Sequence, residues 1–334
     1  MKKYHVYGVG NALVDMEFEV EDSFFEQNGI DKGLMTLVDE ERQHELMSHL
    51  DAFEGKKASG GSAANTIIAT SYFGGKSFYS CKVASDELGD FYVKDLLAAG
   101  VDSNVAEGRK PGITGKCLVM VTPDAERTMN TYLGITETFS VDELHLPAII
   151  DSEYLYMEGY LVTSDTGRHA AIEARKIAEE NGVKTALTFS DPAMVQFFKD
   201  GLKDMIGEQV DLLFCNEAEA LSWADTDDLQ QALESMKQVA RTFAVTRGAE
   251  GALLYDGRHL IEISPHPVKA VDSNGAGDMF AGAFLYGITH GHSFYEAGNI
   301  ASLAAARVVS QFGPRLAAAE HREILDIVTA QPDA

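Results

Sequence analysis

The chain has 334 residues, and 45% of them are hydrophobic, which is enough to bury a large core. Its 27 basic and 52 acidic residues give a formal net charge of −25, which argues against nucleic acid or an anionic membrane as a partner. Cys81, Cys117 and Cys215 are far apart and form neither a disulfide framework nor a zinc motif. We see no signal peptide and no membrane-spanning run, and therefore expect a cytoplasmic protein.

Polar residues follow directly after the first predicted strand. Residues 4–9 form a short apolar run typical of a buried strand, and residues 13–20 alternate as in a strand with one buried face. Asn11 and Asp15 lie at the end of the first strand, where open α/β sheets bind their ligands. They are candidate ligand-binding residues, with a turn Asn and a solvent-facing strand Asp as the alternative.

Two adjacent glycines, Gly60 and Gly61, introduce a predicted helix of small residues that extends to about residue 73. Glycines at such a position let a polar ligand lie against backbone amides. Asn65 projects from the first turns of this helix. The alternative is close packing of the helix on a sheet, which explains the glycines but not Asn65.

Four predicted strands do not follow the alternation of strands and helices. Residues 114–122 and 127–133 are joined by a short turn and predict a hairpin. Together with the strands at 13–20 and 33–38, they predict a separate small sheet. Arg127, at the start of the second hairpin strand, is either a surface residue or a ligand of an anion.

From residue 140 onward, strands and helices alternate regularly, which predicts helices packed on a parallel sheet. Polar residues or glycines end or follow the predicted strands at 211–215 and 243–246. These residues are Asn216, Glu219, Thr246, Gly248 and Gly251. Taken alone, an Asn cap followed by a Glu in the first helical turn is commonplace.

The segment Asp272-Ser-Asn-Gly-Ala-Gly-Asp278 lies between a strand-like run at 260–271 and a helix with regularly spaced apolar residues. Gly275 and Gly277 have no Cβ, so the backbone can approach a ligand closely. The free N–H groups of the first helical turn and the positive end of the helix dipole then form an anion site.

Asp278 lies at the mouth of this predicted anion site. A carboxylate repels a phosphate, so it is a poor choice for merely holding one. It suits a base that takes a proton from a hydroxyl while the N–H groups stabilise the charge that develops on the phosphate. The alternative is an ordinary first-turn Asp that the helix dipole favours.

Taken in chain order, these motifs resemble those of the ribokinase-like (phosphofructokinase-B) family of carbohydrate and nucleoside kinases. The segment from Asp272 to Asp278 is similar to the family's C-terminal signature, with Ser273 where Thr is usual, and Gly60-Gly61 with Asn65 is similar to its N-terminal signature. The resemblance implies an α/β fold with a doubly wound, mostly parallel sheet flanked by helices, and a small β-sheet lid. It also implies ATP-dependent phosphorylation of a primary alcohol.

The resemblance further implies roles for individual residues. Asp278 would be the catalytic base, the amides of Gly275, Ala276 and Gly277 the anion hole, and Arg127 a ligand of the transferred phosphate. The substrate-binding residues would be Asn11, Asp15, Gly60, Gly61 and Asn65. The ATP-binding residues would be Asn216, Thr246, Gly248, Gly251 and Ser273. Glu219 would hold Mg²⁺ through water, and Asp272 and Gly313 would border a monovalent cation such as K⁺.

The spacing from Asn11 to Asp15, together with Arg127-Thr-Met, resembles the adenosine kinases of the family and favours the 5′-hydroxyl of adenosine, giving AMP. Phe139, Tyr160 and Phe189 are the candidates for a purine pocket. A sugar kinase acting on fructose, ribose or 2-keto-3-deoxygluconate is the alternative. A non-catalytic nucleoside-binding regulator is a third hypothesis, which the intact segment ending at Asp278 disfavours.

We expect residues 1–334 to form a single domain, with a lid built from the segments at about 12–40 and 110–135. The expected partner is a small nucleoside or sugar, bound by a monomer or a homodimer.

Overall fold

The computed structural model describes residues 2–51 and 53–329. The strands are β1 (Tyr4–Val9), β2 (Leu13–Glu19), β3 (Met35–Leu37), β4 (Gly55–Gly60), β5 (Ser77–Ser80), β6 (Gly115–Val121), β7 (Arg127–Tyr132), β8 (Ser152–Glu158), β9 (Lys184–Thr188), β10 (Val210–Asn216), β11 (Ala240–Thr246), β12 (Ala252–Tyr255) and β13 (Leu260–Ile263). The helices are α1 (Asp22–Asn28), α2 (Glu40–Leu50), α3 (Ser62–Tyr72), α4 (Glu87–Ala98), α5 (Leu146–Ile150), α6 (Asp165–Glu180), α7 (Pro192–Ile206), α8 (Glu217–Ala224), α9 (Leu229–Val239), α10 (Ala276–Thr289), α11 (Phe294–Val309) and α12 (Ala318–Thr329).

The larger sheet has eight strands in the order β13-β12-β11-β10-β9-β8-β1-β5. The six strands from β11 to β5 pair in parallel, whereas β12 and β13 form an antiparallel edge. Within the sheet, β5 lies on one side of β1 and β8 lies on the other side. The strand order therefore changes direction at β1, and ligands of open α/β sheets bind at the carboxyl ends of strands beside such a point.

Two hydrophobic cores cover the opposite faces of this sheet, because successive side chains of a strand point to opposite faces. On β10, Leu212 and Phe214 belong to the core that contains α3, α10 and α11. Leu213 and Cys215 belong to the core that contains α6, α7, α8 and α9. Helices therefore cover both faces, and the predicted doubly wound, mostly parallel sheet is confirmed.

The second sheet has five strands in the order β3-β7-β6-β2-β4. It contains the four strands that the sequence assigned to a small separate sheet, and β6 and β7 form the predicted antiparallel hairpin. It also contains β4, which the sequence did not predict. The segment Gly55–Gly60 has no alternating apolar residues, and its strand conformation comes from antiparallel pairing with β2.

Several predicted boundaries differ from the structure. The strand-like run at 260–271 is a strand only as far as Ile263, and residues 264–275 form an irregular segment that leads into α10. Helices α1, α5, α9 and α12 were not predicted. Within the described ranges, no helix combines the length and the apolar composition needed to cross a membrane.

Candidate active site

The irregular segment before α10 ends at Gly275, which adopts a left-handed conformation with φ 74°. A Cβ at this position would lie 2.4 Å from the carbonyl oxygen of Pro314, so both the backbone angle and the space require glycine. No side chain of the described residues caps α10, and the backbone N–H groups of Gly277 and Asp278 have no hydrogen-bond acceptor among them. The N–H of Ala276, predicted to belong to the anion hole, instead donates to the carbonyl oxygen of Ser273 at 3.4 Å. The start of α10 therefore has free donors for an anion, and they include the N–H of Asp278 in place of that of Ala276.

Asp278 lies in the first turn of α10 and lines the same cavity as these donors. Its Oδ1 accepts a hydrogen bond of 2.7 Å from Oγ of Ser62, and its Oδ2 accepts one of 3.3 Å from Nδ2 of Asn65. Burial raises the pKa of Asp278 to about 6, whereas Ser62, Asn65 and the charge of Arg127 lower it. The carboxylate is thus held in a fixed orientation and is mostly ionised at neutral pH.

Glu158, the last residue of β8, links the segment after β1 to the start of α3. Its Oε1 accepts a hydrogen bond of 2.6 Å from the N–H of Asn11, and its Oε2 accepts one of 2.8 Å from the N–H of Ala63. Its side chain is fully buried, and burial raises its pKa to about 7. Glu158 therefore ties the residues that follow β1 to the first turn of α3.

Arg127 begins β7, in the second sheet, and lines the cavity. One guanidinium nitrogen is 3.3 Å from Sδ of Met129, and no carboxylate of residues 2–51 or 53–329 forms an ion pair with Arg127. Burial disfavours its charge, but the nearby Tyr160, Asp278 and Asp191 outweigh this effect and raise the pKa of Arg127. The guanidinium is therefore charged and available to an anionic ligand.

Asp15, on β2, is 5% exposed and faces the cavity. Burial and the neighbouring Glu17 raise its pKa well above the usual range. Its carboxylate accepts no hydrogen bond from the described part of the chain. A Cβ on Gly60 would lie 2.0 Å from this carboxylate, so glycine leaves the space that Asp15 occupies. Both oxygens of the Asp15 side chain are thus available to a ligand with hydroxyl groups.

Asn216 and Glu219 form a capping box at the start of α8. The N–H of Glu219 donates to Oδ1 of Asn216 at 2.8 Å, and the N–H of Asn216 donates to Oε2 of Glu219 at 2.9 Å. Burial raises the pKa of Glu219 to about 8. Both residues line the cavity, so the capping arrangement and a role in binding are compatible.

One cavity of about 430 Å³ brings most of the predicted site residues together. The predicted residues that line it are Asn11, Asp15, Gly61, Asn65, Arg127, Asn216, Glu219, Thr246, Gly248, Ser273, Gly275, Ala276, Gly277 and Asp278. They come from the carboxyl ends of the parallel strands, the starts of α3 and α10, and one face of the second sheet. Gly60, Gly251, Asp272 and Gly313 do not line this cavity.

The two residues predicted to border a monovalent cation lie behind the start of α10. Asp272 is fully buried, and its Oδ1 and Oδ2 accept hydrogen bonds from the N–H groups of Asn274 and Gly313 at 2.8 and 2.9 Å. Glu17, on β2, accepts a hydrogen bond of 2.9 Å from Nδ2 of Asn274. These contacts hold the segment that leads into α10, and cation binding there stays a prediction.

Two of the three residues suggested for a purine pocket do not reach the cavity. Phe139 is fully buried in a core, and Phe189 stacks on Trp223 with a centroid distance of 4.8 Å. Those two suggestions were wrong, because the aromatic rings serve to pack the core. Tyr160 does line the cavity. The wall formed by the second sheet carries aliphatic and sulfur-containing side chains, namely Leu13, Met35, Leu37, Cys117, Val119, Met129 and Leu133.

The sequence did not identify Ser62, Glu158, Glu17 or Arg315 as site residues. Ser62 directly follows the two glycines, and Glu158 ends a buried parallel strand. Both could therefore have been recognised as site residues from their positions in the sequence. Glu17 and Arg315 gave no comparable signal. Their partners at the site are hundreds of residues away in the chain, and only the fold brings them together.

Residues 30–321 match the model of the pfkB family carbohydrate kinases. The adenosine kinase of Sinorhizobium meliloti is 35% identical with a TM-score of 0.90, over 96% of this chain and 99% of that one. The probable sugar kinase of Rhizobium etli is 34% identical with a TM-score of 0.92, over 98% of this chain and 100% of that one. The adenosine kinase of Saccharomyces cerevisiae is 28% identical, over 92% of this chain and 95% of that protein.

The fold and the cavity define a phosphoryl-transfer enzyme, and the matches agree with this class. The chain belongs to the pfkB family of carbohydrate kinases. It is an ATP-dependent kinase that is similar to both adenosine kinases and sugar kinases. The family resemblance inferred from the sequence motifs is confirmed.

Proposed function

We propose that this kinase transfers the γ-phosphoryl group of ATP to the 5′-hydroxyl of adenosine, giving AMP and ADP. The observation that carries this proposal is the shared position of Asp278 and the free N–H groups of Gly277 and Asp278 at one end of the cavity. Arg127, whose guanidinium has no carboxylate partner among the described residues, faces them from the second sheet. A base, an anion hole and a positive charge that faces them are, together with the Mg²⁺ that accompanies ATP, the parts that in-line phosphoryl transfer uses.

Asp278 takes the proton of the attacking hydroxyl in this proposal. Ser62 and Asn65 hold its two oxygens, and its pKa of about 6 keeps it mostly ionised at neutral pH. A general base of this kind contributes about 10²–10⁴ to the rate. The backbone N–H groups at the start of α10 stabilise the transferring phosphoryl group, and one such donor is worth about 2.7–4 kcal/mol.

The residues near the start of α8 fit a Mg²⁺ ion that ATP brings into the site. Mg²⁺ retains several waters and binds through phosphate oxygens and one or two carboxylates. Within the described ranges, no group of three His, Cys, Asp or Glu side chains is arranged to hold a metal ion. Glu219 would therefore act through water, and the ion would neutralise phosphate charge. Asn216, Thr246 and Gly248 line the same part of the cavity and would bind ATP.

Asp15 and Asn11 support a ribose as the acceptor. The carboxylate of Asp15 has two oxygens without hydrogen-bond donors among the described residues, which suits a pair of neighbouring hydroxyl groups. Asn11 lines the cavity beside it, with Gly61 and Asn65 on the facing helix. The second sheet would then cover the nucleoside. The relative at 35% identity and the yeast relative at 28% identity are both adenosine kinases.

A sugar kinase is the second candidate, and the wall of the cavity favours it. The face of the second sheet offers Leu, Val, Met and Cys side chains, and the aromatic residues that line the cavity, Tyr160, Phe214 and Phe280, belong to other elements. The Rhizobium etli relative, at 34% identity, is a probable sugar kinase. Aliphatic side chains can pack on a purine as well, so the acceptor must be determined by activity.

The first experiment is ADP release from Mg·ATP with adenosine, inosine, guanosine, ribose, fructose and 2-keto-3-deoxygluconate as acceptors. We expect saturable turnover with adenosine at lower concentration than with any sugar. Turnover with a sugar alone would replace the acceptor and leave the chemistry in place. Absence of turnover with every acceptor would contradict the proposal and favour a binding protein.

The matched variant is Asp278→Asn, which preserves the volume of the side chain and removes its basicity. We expect kcat to fall by about 10²–10⁴ while the unfolding transition stays close to that of the wild type. A variant with wild-type kcat would contradict the assignment of Asp278 as the base.

A further inference from the structure

Arg315 lies in the segment between α11 and α12, and its three guanidinium nitrogens contact three different elements. Nε donates to Oδ1 of Asn65 on α3 at 3.2 Å, and one terminal nitrogen donates to Oδ2 of Asp95 on α4 at 3.1 Å. The other terminal nitrogen donates to Oγ of Ser59 on β4 at 3.1 Å. Its side chain is 13% exposed, so these contacts are largely shielded from water.

The backbone around Arg315 is held as well. Nε2 of Gln311 donates a hydrogen bond of 2.9 Å to the carbonyl oxygen of Arg315. On the other side of the guanidinium, Asp95 also accepts hydrogen bonds from the N–H and Oγ of Ser59. Arg315 therefore lies in a network with little freedom to move, and a planar guanidinium in such a network directs its donors in fixed directions.

The two contacts of Asn65 determine which way its amide group faces. Arg315 can only donate hydrogen bonds, so the amide atom that faces it must be the oxygen. The Asp278 carboxylate, when ionised, can only accept, so the amide atom that faces it must be the NH₂ group. Both requirements are met by one orientation, in which Asn65 accepts from Arg315 and donates to Asp278.

We infer that Arg315 is a positioning residue for the catalytic base and acts by fixing the Asn65 amide so that its NH₂ group faces Asp278. The series Asp95, Arg315, Asn65 and Asp278 links α4 and the segment after α11 to the reacting hydroxyl. Arg315 contacts neither Asp278 nor, by this inference, the substrate. This inference rests on the proposed role of Asp278 as the base.

Loss of Arg315 has a defined consequence in this arrangement. Without its donor, the Asn65 oxygen has no partner at that position, and the amide can rotate by half a turn. Its oxygen would then face the Asp278 carboxylate, and two acceptors repel each other. The base would lose one of its two hydrogen bonds, and the ionised form would be less favoured.

Other charged or titratable groups also face Asp278, and they must be considered in any pH profile. They are Arg127 on β7, Asp15 on β2, Tyr156 and Glu158 on β8, and Tyr160 directly after β8. Arg315 also lowers the pKa of Asp15. A shift in the profile alone would therefore be ambiguous, and the test must separate the path through Asn65 from the others.

The test is a double-mutant cycle with Arg315→Met, Asn65→Ala and the double variant, measured as kcat and as the pH profile of kcat/KM. We expect Arg315→Met to lower kcat by about tenfold or more and to shift the acid limb upward by about one pH unit, with the KM for ATP nearly unchanged. In the Asn65→Ala background, the same substitution should change kcat by less than about twofold. It should move the acid limb by no more than a few tenths of a pH unit.

Independent effects of the two substitutions would overturn the inference. If Arg315→Met lowers kcat by the same factor with and without Asn65, its effect does not pass through the amide. Arg109→Met is the matched control, since Arg109 pairs with Asp90 and does not line the cavity. It should leave both kcat and the acid limb unchanged.

Two further measurements keep the outcome decisive. If Arg315→Met does not fold, the same cycle is performed with Asp95→Ala, which removes the carboxylate partner of Arg315 and should couple to Asn65→Ala in the same direction. The Asp278→Asn variant reports separately on the base. Wild-type kcat in that variant would refute the proposed function, whereas additive effects in the cycle with an inactive Asp278→Asn would refute only the role of Arg315.

Discussion

Ser62 donates a hydrogen bond of 2.7 Å from its Oγ to Oδ1 of Asp278, and this bond joins the first turns of α3 and α10. The positive ends of two helix dipoles therefore meet at one carboxylate. Burial raises the pKa of Asp278 to about 6, and the hydrogen bonds from Ser62 and Asn65 lower it. The pKa of Asp278 therefore reflects a balance between removal from water, which raises it, and donors that favour the ionised form.

The wild-type enzyme should lose activity on the acid side of neutrality. The base must be ionised to accept a proton, so kcat/KM should fall below a pH of about 6, by about tenfold per pH unit. The measurement is kcat/KM from pH 5 to pH 8, with circular dichroism at each pH as the control for folding. A profile that stays flat down to pH 5 would contradict the assignment.

Substitution of Ser62 by Ala should shift this acid limb upward. The change removes one of the two hydrogen bonds that favour the ionised carboxylate, so the pKa of Asp278 rises further. We expect a shift of about one unit, which would lower the ionised fraction of Asp278 and with it kcat by about twofold at pH 7 and by more at lower pH. Ser48→Ala is the control, because its hydroxyl bonds to the carbonyl oxygen of Glu45 on its own helix, α2, away from the site. An unmoved limb in Ser62→Ala would show that the bond does not tune the base.

The sequence predicted those features of the site that depend on local chemistry. Glycines before a helix, a first-turn Asp and polar residues after buried strands can be recognised within a few residues, and Gly275, Asp278, Asn11 and Asn216 all line the cavity as expected. Glu17 and Arg315 could not be predicted in this way. Their partners Asn274 and Asn65 lie 257 and 250 residues away, and nothing local distinguishes them from other charged residues.

The errors have the same physical origin. Gly55–Gly60 has little intrinsic preference for a strand, and only its pairing with β2 produces β4. Phe139 and Phe189 follow patterns that suit a ligand pocket and a core equally well, and the tertiary fold buries both. Aromatic residues near strand ends therefore carry little information about a base-binding site unless the direction of each side chain is known.

Substitution of Arg127 by Met should separate catalysis from stability. The guanidinium forms no ion pair with the described residues, so its removal should leave the free energy of unfolding unchanged within about 0.5 kcal/mol. If it compensates charge on the transferring phosphate, kcat should fall on the order of 10³. The measurements are steady-state kinetics and urea denaturation.

The control for Arg127→Met is Arg168→Met, on the surface of α6, where Arg168 pairs with Asp165. It should change neither kcat nor stability appreciably. Retention of kcat within about tenfold in Arg127→Met would place Arg127 outside the reaction, whereas a large loss of stability would indicate a structural role.

Stability should fall as the pH rises from 6.5 to 8, because several buried carboxyl groups hold protons in the folded state. Burial raises the pKa of Glu17 and Glu158 to about 7 and that of Glu219 to about 8. In the unfolded chain these groups are ionised throughout this range, so the folded state binds more protons and loses stability as it releases them. Together the three groups predict a loss on the order of 3 kcal/mol, which urea denaturation at pH 6.5 and 8 would measure.

Glu158→Gln should flatten this dependence of stability on pH. The amide cannot ionise, so the part of the slope due to Glu158, on the order of 1 kcal/mol, disappears. Its single oxygen can accept from the N–H of Asn11 or from that of Ala63, and the other donor is left without a partner in the interior, at a cost of about 1–3 kcal/mol. Glu180→Gln, on the exposed end of α6, is the control and should retain the full slope. If Glu158→Gln keeps the wild-type slope, Glu158 is already ionised in the folded protein, and the two N–H donors stabilise its charge more strongly than burial disfavours it.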